Sequence, residues 1–218
     1  MREQEASFSP GSRIRAILFD MDGVLIDAKD WHYEALNKAL GLFGVEISRY
    51  DHLHTYDGLP TRVKLQMLSE GQFLPTELHG FINQLKQMYT AELIHQRCHP
   101  LFHHEYALSR LKQEGYRIAV CSNSIRSTIE LMMEKASLME YVDLIVSNED
   151  VRKAKPDPEM YLTAMERFGL RPEECLVVED NPKGIQAGKA SGAAVLEVAS
   201  VYDVNYENIM RKIGEGRP

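Results

Sequence analysis

Five short apolar runs constrain the fold of this chain more than any other feature of its sequence. The last four are separated by segments with helical periodicity, and this alternation is typical of βαβ units in a parallel sheet. We therefore predict an α/β fold with a doubly wound parallel sheet of the Rossmann-like type. The predicted strands are Ile14–Phe19, Arg117–Ser122, Leu144–Ser147, Leu176–Glu179 and Ala193–Val198.

Residues 28–97 interrupt this alternation, because they contain no convincing strand. Apolar side chains recur there at helical spacing, as in His32–Leu40 and Leu65–Leu68. We predict that residues 28–97 form a helical cap domain, and that residues 1–27 and 98–218 form the Rossmann-like core. An insertion at this point is expected to lie over the C-terminal end of the first strand.

Two carboxylates, Asp20 and Asp22, follow the first predicted strand, and Gly23 comes directly after them. The C-terminal ends of strands are where open α/β sheets bind their ligands. Buried acids are costly unless they are paired or bound to metal, so this pair favours a nucleophile or metal ligand beside a general acid/base. Taken alone, the same pattern also fits a turn or a calcium loop.

The second predicted strand is followed by a polar segment, Ser122, Asn123 and Ser124, which precedes a helix predicted over 126–135. Hydroxyl, amide and free backbone N–H groups at a helix N-terminus are suited to bind phosphate. In isolation, capping of the helix by Ser122 or Ser124 is the favoured explanation of this pattern.

Three further residues have charges that a phosphate site would use. Lys155 lies in a loop stiffened by prolines, where its ammonium could be directed at a fixed point. Taken alone, an exposed lysine is the favoured explanation of this residue. Glu179 and Asp180 end the fourth strand as Asp20 ends the first. Asp20 and Asp180 together could hold magnesium, although Asp180 or Asn181 could instead cap the next helix.

In this order, the four stretches resemble the motifs of the haloacid dehalogenase superfamily, specifically its β-phosphoglucomutase-like branch, which has a helical cap after the first motif. The resemblance extends from about Ile14 to Val198. It implies that Asp20 is the nucleophile and forms an aspartyl-phosphate, and that Asp22 is the general acid/base. It also implies that Ser122, Asn123 and Lys155 bind the phosphoryl group.

The same resemblance implies a Mg²⁺ cofactor. Asp20, the backbone carbonyl of Asp22, and Asp180 would hold the ion, with support from Glu179. Phosphoryl transfer requires positioning and charge neutralisation more than covalent chemistry, and this set of residues supplies both.

The cap is expected to select the substrate. The segment Tyr56–Arg62 resembles the cap loop that contacts substrate in this branch, so Gly58 and Arg62 are candidate binding residues, although an exposed arginine also explains Arg62. His32 stands where relatives have a histidine near the acid/base, and a partly buried helical histidine is the alternative.

Departures from the mutase pattern favour hydrolysis. Ala28 replaces a hydroxyl residue, and Thr61 stands where the mutase has an arginine for the substrate phosphate. We predict a magnesium-dependent phosphatase acting on a small phosphorylated metabolite, such as a sugar phosphate. The alternatives are a sugar-phosphate mutase and, less favoured, a non-catalytic protein that binds a phosphorylated metabolite.

Charge and cysteine content limit the partners and the compartment. The net charge of −7 and the pI near 5.6 argue against nucleic acid or an anionic membrane surface as a partner. Three widely spaced cysteines favour reduced thiols. Met1–Ser12 lacks the apolar core of a signal peptide, and no run is long enough to span a membrane. We expect a cytoplasmic protein that is a monomer or a weak homodimer.

Overall fold

The computed structural model describes residues 14–71 and 73–215, and the described residues form one five-stranded parallel sheet. Its order is β3-β2-β1-β4-β5, and every neighbouring pair is parallel. The predicted α/β fold class is confirmed, and each strand begins and ends within two residues of its predicted bounds. The strands are β1 (Ala16–Phe19), β2 (Arg117–Cys121), β3 (Leu144–Val146), β4 (Cys175–Glu179) and β5 (Ala194–Glu197).

The strand order reverses beside β1. The chain adds β2 and β3 on one side of β1 and then β4 and β5 on the other. The C-terminal ends of β1 and β4 therefore flank the topological switch point, which is the usual ligand site of such sheets.

The helices account for most of the remaining described residues. The segment 52–56 is a π-helix, His52–Tyr56, a rare element that is frequent at functional sites. The α-helices are α1 (Lys29–Gly41), α2 (Arg49–Asp51), α3 (Thr61–Glu70), α4 (His79–Arg97), α5 (Phe102–Gln113), α6 (Arg126–Lys135), α7 (Glu159–Phe168), α8 (Pro182–Ala190) and α9 (Tyr206–Glu215).

The chain divides into two compact units, which we describe separately. The first contains residues up to Asp27 and from His99 onward, and the second is Ala28–Cys98. The polar segment Met1–Ser12 and the last three residues lie outside the described part of the chain. None of the described helices is long and apolar enough to cross a membrane.

The core of the first unit lies between the sheet and its helices. β1 and β4 are fully buried along their length, which is why their sequences are continuously apolar rather than alternating. Alternate residues of the central strands share one apolar cluster with α7, including Ala16, Leu18, Ala164 and Phe168. This packing fixes the strand ends, and with them the loops that follow.

The described residues of the second unit form helices joined by turns and loops, and none of them lies in a strand. α1 and α4 pack on one another, and a separate apolar cluster includes Leu36, Leu40, Leu65 and Ile82. The unit therefore has its own core, although its role as a cap stays a prediction.

Helix ends in the first unit follow the local sequence. Asn181 caps α8 by accepting a hydrogen bond from the backbone N–H of Lys183 at 3.0 Å, and Pro182 follows as the first helical residue. Asp157 accepts from the N–H of Glu159 at 3.0 Å at the start of α7, and Gly169 ends that helix with a φ of +62°.

Candidate active site

The two aspartates that follow β1 lie in a compact turn. The Asp20 N–H continues the parallel ladder by donating to the Val178 carbonyl at 3.0 Å. After Asp22 the chain turns at Gly23, whose φ of +92° suits glycine. The carbonyl of Met21 accepts hydrogen bonds from the N–H groups of residues 24, 25 and 26. Both carboxylates are thus held at the C-terminal edge of the sheet.

Lys155 is buried against this edge and is 5% exposed, so the alternative of an exposed lysine is excluded. Its ammonium donates to Asp20 Oδ1 at 2.7 Å, Glu179 Oε1 at 2.7 Å and the Cys121 carbonyl at 2.8 Å. An ammonium has three N–H donors, so these contacts engage all of them. Binding of a phosphoryl oxygen by Lys155 therefore requires the exchange of one contact.

Glu179 receives hydrogen bonds on both carboxylate oxygens. Oε1 accepts from Lys155 and from the Tyr161 hydroxyl, each at 2.7 Å. Oε2 accepts from the backbone N–H groups of Asp180 at 3.1 Å and Asn181 at 3.3 Å. A side chain at Gly184 would collide with this carboxylate, because an added Cβ would lie 1.7 Å from Oε1. The glycine in α8 therefore makes room for Glu179.

The acidic groups hold more negative charge than Lys155 neutralises. Burial raises the pKa of Asp20 well above its usual value, and Glu179 and Asp22 act in the same direction, whereas Lys155 opposes them. Burial disfavours the ammonium of Lys155, but Asp20 and Glu179 outweigh burial and raise its pKa. Burial also raises the pKa of Tyr161, as does Glu179, which keeps the tyrosine hydroxyl protonated as a donor.

Three carboxylates can supply ligands to one cation. Ligand atoms of Asp20, Glu179 and Asp180 all lie within 4.8 Å of one another. Mg²⁺ prefers carboxylate oxygens, and Lys155 supplies a single positive charge against the three carboxylates. The donor set therefore fits a divalent cation, although an ion bound directly to Glu179 would share its oxygens with four hydrogen-bond donors.

The loop after β2 lies between Lys155 and Asp22. The Ser122 N–H donates to the Val146 carbonyl at 3.0 Å, and Ser122 Oγ accepts from the N–H of Ser124 at 3.1 Å. The Asn123 side-chain oxygen accepts from the Lys155 N–H at 3.2 Å, and Ser124 Oγ donates to Asp22 Oδ2 at 3.4 Å. The N-cap of α6 has no side-chain cap hydrogen bond, so neither serine fills that role.

A second loop, after β3, fixes the loop that contains Asn123. The Asn148 amide donates to the Asn123 carbonyl at 2.9 Å, and the Asn148 N–H donates to the Ser124 carbonyl at 3.2 Å. Glu149 accepts from the first N–H of α6, that of Arg126, at 2.7 Å. The candidate phosphate loop is therefore held by hydrogen bonds from a neighbouring loop.

Asp150 anchors that neighbouring loop. Burial by itself raises the pKa of Asp150, but hydrogen bonds from the Ser147 N–H and hydroxyl, with Arg167 and Arg126, outweigh burial and hold the pKa well below its usual range. Such a carboxylate stabilises the folded state most when the pH lies above the pKa that it has in the unfolded chain. This contribution declines as the pH falls toward the lower pKa that it has in the folded protein.

We therefore expect Asp150→Asn to lower the free energy of unfolding by about 2 kcal/mol at pH 7, because hydrogen bonds to a charged acceptor are lost. The loss should be smaller at pH 3, where the carboxylate already contributes less. Urea denaturation at the two pH values measures this difference. Glu140→Gln, at an exposed position, is the control. An equal loss at both pH values would contradict the electrostatic explanation.

The predicted substrate residues of the cap lie in the second unit. Lys86 donates to His32 Nδ1 at 3.2 Å, an arrangement that leaves the His32 proton on Nε2. Gly58 has a φ of +68° in the turn that follows the π-helix. Arg62 is the second residue of α3, and it is exposed. The binding roles of these three residues remain predictions.

Two residues to which the sequence assigned no catalytic role contact predicted members of the site. Ser124, considered only as part of the phosphate loop or as a cap, bonds to Asp22, and Tyr161 bonds to Glu179. Tyr161 lies on the apolar face of α7, where helical periodicity predicts a core residue. The sequence gives one signal for this contact: a tyrosine at a position predicted to be buried, because a buried tyrosine hydroxyl usually has a polar partner.

Comparisons with known proteins agree with the observed fold. Residues 17–198 match the family described as haloacid dehalogenase-like hydrolase. The phosphorylated carbohydrates phosphatase of Thermotoga maritima is 27% identical over 93% of this chain and 99% of its own length. The phosphoglycolate phosphatase of Aquifex aeolicus is 31% identical over 82% of each chain.

A solved structure shares the fold. The crystal structure of β-phosphoglucomutase from Clostridium difficile superposes with a TM-score of 0.80, at 23% identity, over 93% of this chain and 98% of that one. At this level of identity, the likeness establishes the architecture alone.

Proposed function

Because the chain belongs to the haloacid dehalogenase-like hydrolase family, with a fold like that of the β-phosphoglucomutase branch, we propose that it is a magnesium-dependent phosphatase of small phosphorylated metabolites. The two relatives described above are named as phosphatases, and the chain is accordingly a phosphoric monoester hydrolase. The observation that carries the proposal is the buried contact of Lys155 with Asp20, beside the acidic cluster that also includes Glu179 and Asp180.

Asp20 acts as the nucleophile. One of its oxygens bonds to phosphorus as the bond from phosphorus to the substrate oxygen breaks, which leaves an aspartyl-phosphate. The contact with Lys155 orients the Asp20 carboxylate. The positive charge of Lys155 stabilises the negative charge that develops on the phosphoryl group during transfer. Ser122 and Asn123, on the adjacent loop, bind the phosphoryl oxygens.

Asp22 moves the proton. It donates one to the leaving oxygen of the substrate and later takes one from the water that attacks the aspartyl-phosphate, which releases inorganic phosphate and regenerates Asp20. The tight turn at Gly23 and the contact with Ser124 support this role, because they restrict where the Asp22 carboxylate can lie.

Mg²⁺ would be held by Asp20, the carbonyl of Asp22, and Asp180, with Glu179 in support. When bound, the ion neutralises charge on the phosphoryl oxygens. The excess negative charge of the acidic cluster supports this assignment.

The substrate class is proposed from the name of one relative. The Thermotoga maritima protein, 99% of whose length matches this chain, is named for phosphorylated carbohydrates, so a sugar phosphate is the first substrate to test. In the cap, His32, Gly58 and Arg62 would contact the part of the substrate that leaves.

A screen of phosphate esters tests the proposal. The wild-type protein is incubated with sugar phosphates, polyol phosphates, phosphoglycolate and nucleotides, with Mg²⁺ or with EDTA, and released phosphate is measured. We expect Mg²⁺-dependent hydrolysis of at least one sugar phosphate. Interconversion of hexose phosphates without phosphate release would instead identify a mutase, and inactivity with tight binding of one ester would identify a binding protein.

A further inference from the structure

We propose that Tyr161 is a positioning residue of this site. Its side chain holds the Glu179 carboxylate and the Lys155 ammonium, so that Lys155 stays directed at Asp20. The inference rests on the proposed function, because it assigns a task in the same reaction. Tyr161 contacts the Glu179 carboxylate from α7, a helix that packs against the sheet.

The position of Tyr161 in α7 is that of a core residue. Tyr161, Ala164, Met165 and Phe168 recur at helical spacing and belong to the apolar cluster under the sheet. A phenylalanine would fill the same space, and burial of a hydroxyl is costly unless it forms a hydrogen bond. The Tyr161 hydroxyl meets this requirement by donating to Glu179 Oε1 at 2.7 Å.

Tyr161 also contacts Lys155 through its ring. The ammonium lies 4.7 Å from the ring centroid, within the range of a cation–π contact. Tyr161 thus acts on both partners of one ion pair: the ring on Lys155 and the hydroxyl on Glu179. Its hydroxyl and the Lys155 ammonium share the same acceptor atom, Oε1.

This shared acceptor determines how Lys155 divides between two carboxylates. With the Tyr161 hydroxyl in place, part of the accepting capacity of Oε1 is taken, and backbone N–H groups hold Oε2. Without the hydroxyl, Lys155 remains as a donor to Oε1, and the carboxylate can rotate toward the ammonium. Lys155 would then shift toward Glu179 and away from Asp20.

The first test is Tyr161→Phe, which removes the hydroxyl and keeps the ring. We expect kcat to fall about tenfold and KM to stay within about twofold, since the lost contact orients groups that act on the transferring phosphoryl group. The control is Tyr116→Phe. Tyr116 is also buried, but it directly precedes β2, at the opposite end of the strands from the site.

A second readout needs neither metal nor substrate. In protein with ¹⁵N-labelled lysine, an ammonium bound to three acceptors exchanges slowly with water, and its NMR signal is distinct from those of exposed lysines. Loss of one signal in Lys155→Arg assigns it. We expect this signal to broaden or shift in Tyr161→Phe and to remain unchanged in Tyr116→Phe.

Gly184→Ala displaces the same carboxylate from α8, because the added Cβ would lie 1.7 Å from Glu179 Oε1. Gly188→Ala is its matched control: it adds a methyl group to the same helix, against Val177 at 3.1 Å. We expect Gly184→Ala to change the Lys155 signal and to lower kcat, and Gly188→Ala to do neither.

The outcomes separate the possibilities. A folded Tyr161→Phe protein with wild-type kcat, or with an unchanged Lys155 signal, would overturn the inference. If that variant does not fold, a wild-type Lys155 signal in Gly184→Ala overturns the inference, because it shows that the position of the Glu179 carboxylate does not control Lys155. If the wild-type protein hydrolyses no ester, the proposed function fails, and the NMR comparison still decides whether Tyr161 orders Lys155.

Discussion

Asp20→Asn is expected to lower kcat by a factor on the order of 10⁴ or more, because an amide cannot replace the carboxylate as nucleophile. The substitution preserves the shape of the side chain, and the remaining oxygen can still accept from Lys155. A loss of this size would therefore report chemistry rather than packing. It is measured as phosphate release from the best ester of the screen, at saturating Mg²⁺.

A phosphate-like ligand distinguishes the two aspartates. Beryllium fluoride binds to a carboxylate oxygen as a stand-in for the phosphoryl group, and ¹⁹F NMR detects the bound form. We expect Asp22→Asn to be inactive but to bind beryllium fluoride, since its nucleophile is intact, whereas Asp20→Asn should not bind it. Full Mg²⁺-dependent hydrolysis by Asp20→Asn would refute the mechanism.

The sheet and the loops that follow it were predictable from sequence because both are encoded locally. An apolar run such as Ala16–Phe19 is a strand that is buried on both faces, and the first polar residue after it, Asp20, must lie at the strand end. The same logic placed Ser122 and Asp180. The helix predicted over 126–135 has those bounds in the structure, as α6.

Contacts between distant segments were not predictable in the same way. Lys155 lies in a loop rich in charge and proline, where the residue taken alone is more simply interpreted as exposed, and three acceptors from three different segments hold it in place. Tyr161 resembles any other apolar residue on the buried face of α7. Their roles depend on which strand ends become neighbours, and local periodicity carries no information about that.

Lys155→Met is expected to have the second large effect, on stability as well as on activity. It leaves Asp20 and Glu179 buried together without the ammonium that both contact. Breaking a buried ion pair by removing one partner costs about 3–5 kcal/mol, and we expect a loss of that order in the free energy of unfolding, measured by urea denaturation in EDTA. We expect kcat to fall on the order of 10³-fold, because charge stabilisation at the phosphoryl group is lost.

The matched control is Lys153→Met, two residues earlier in the same loop. The side chain of Lys153 is 73% exposed and pairs with Asp157 at 3.6 Å on the surface, and an exposed pair of this kind contributes about 0–1 kcal/mol. The two variants remove the same charge from the same loop, so the difference between them isolates burial. If Lys155→Met were as stable as Lys153→Met, the buried ammonium would contribute no measurable free energy to the folded state. The claim that Lys155 offsets the burial of the Asp20 and Glu179 carboxylates would then be wrong.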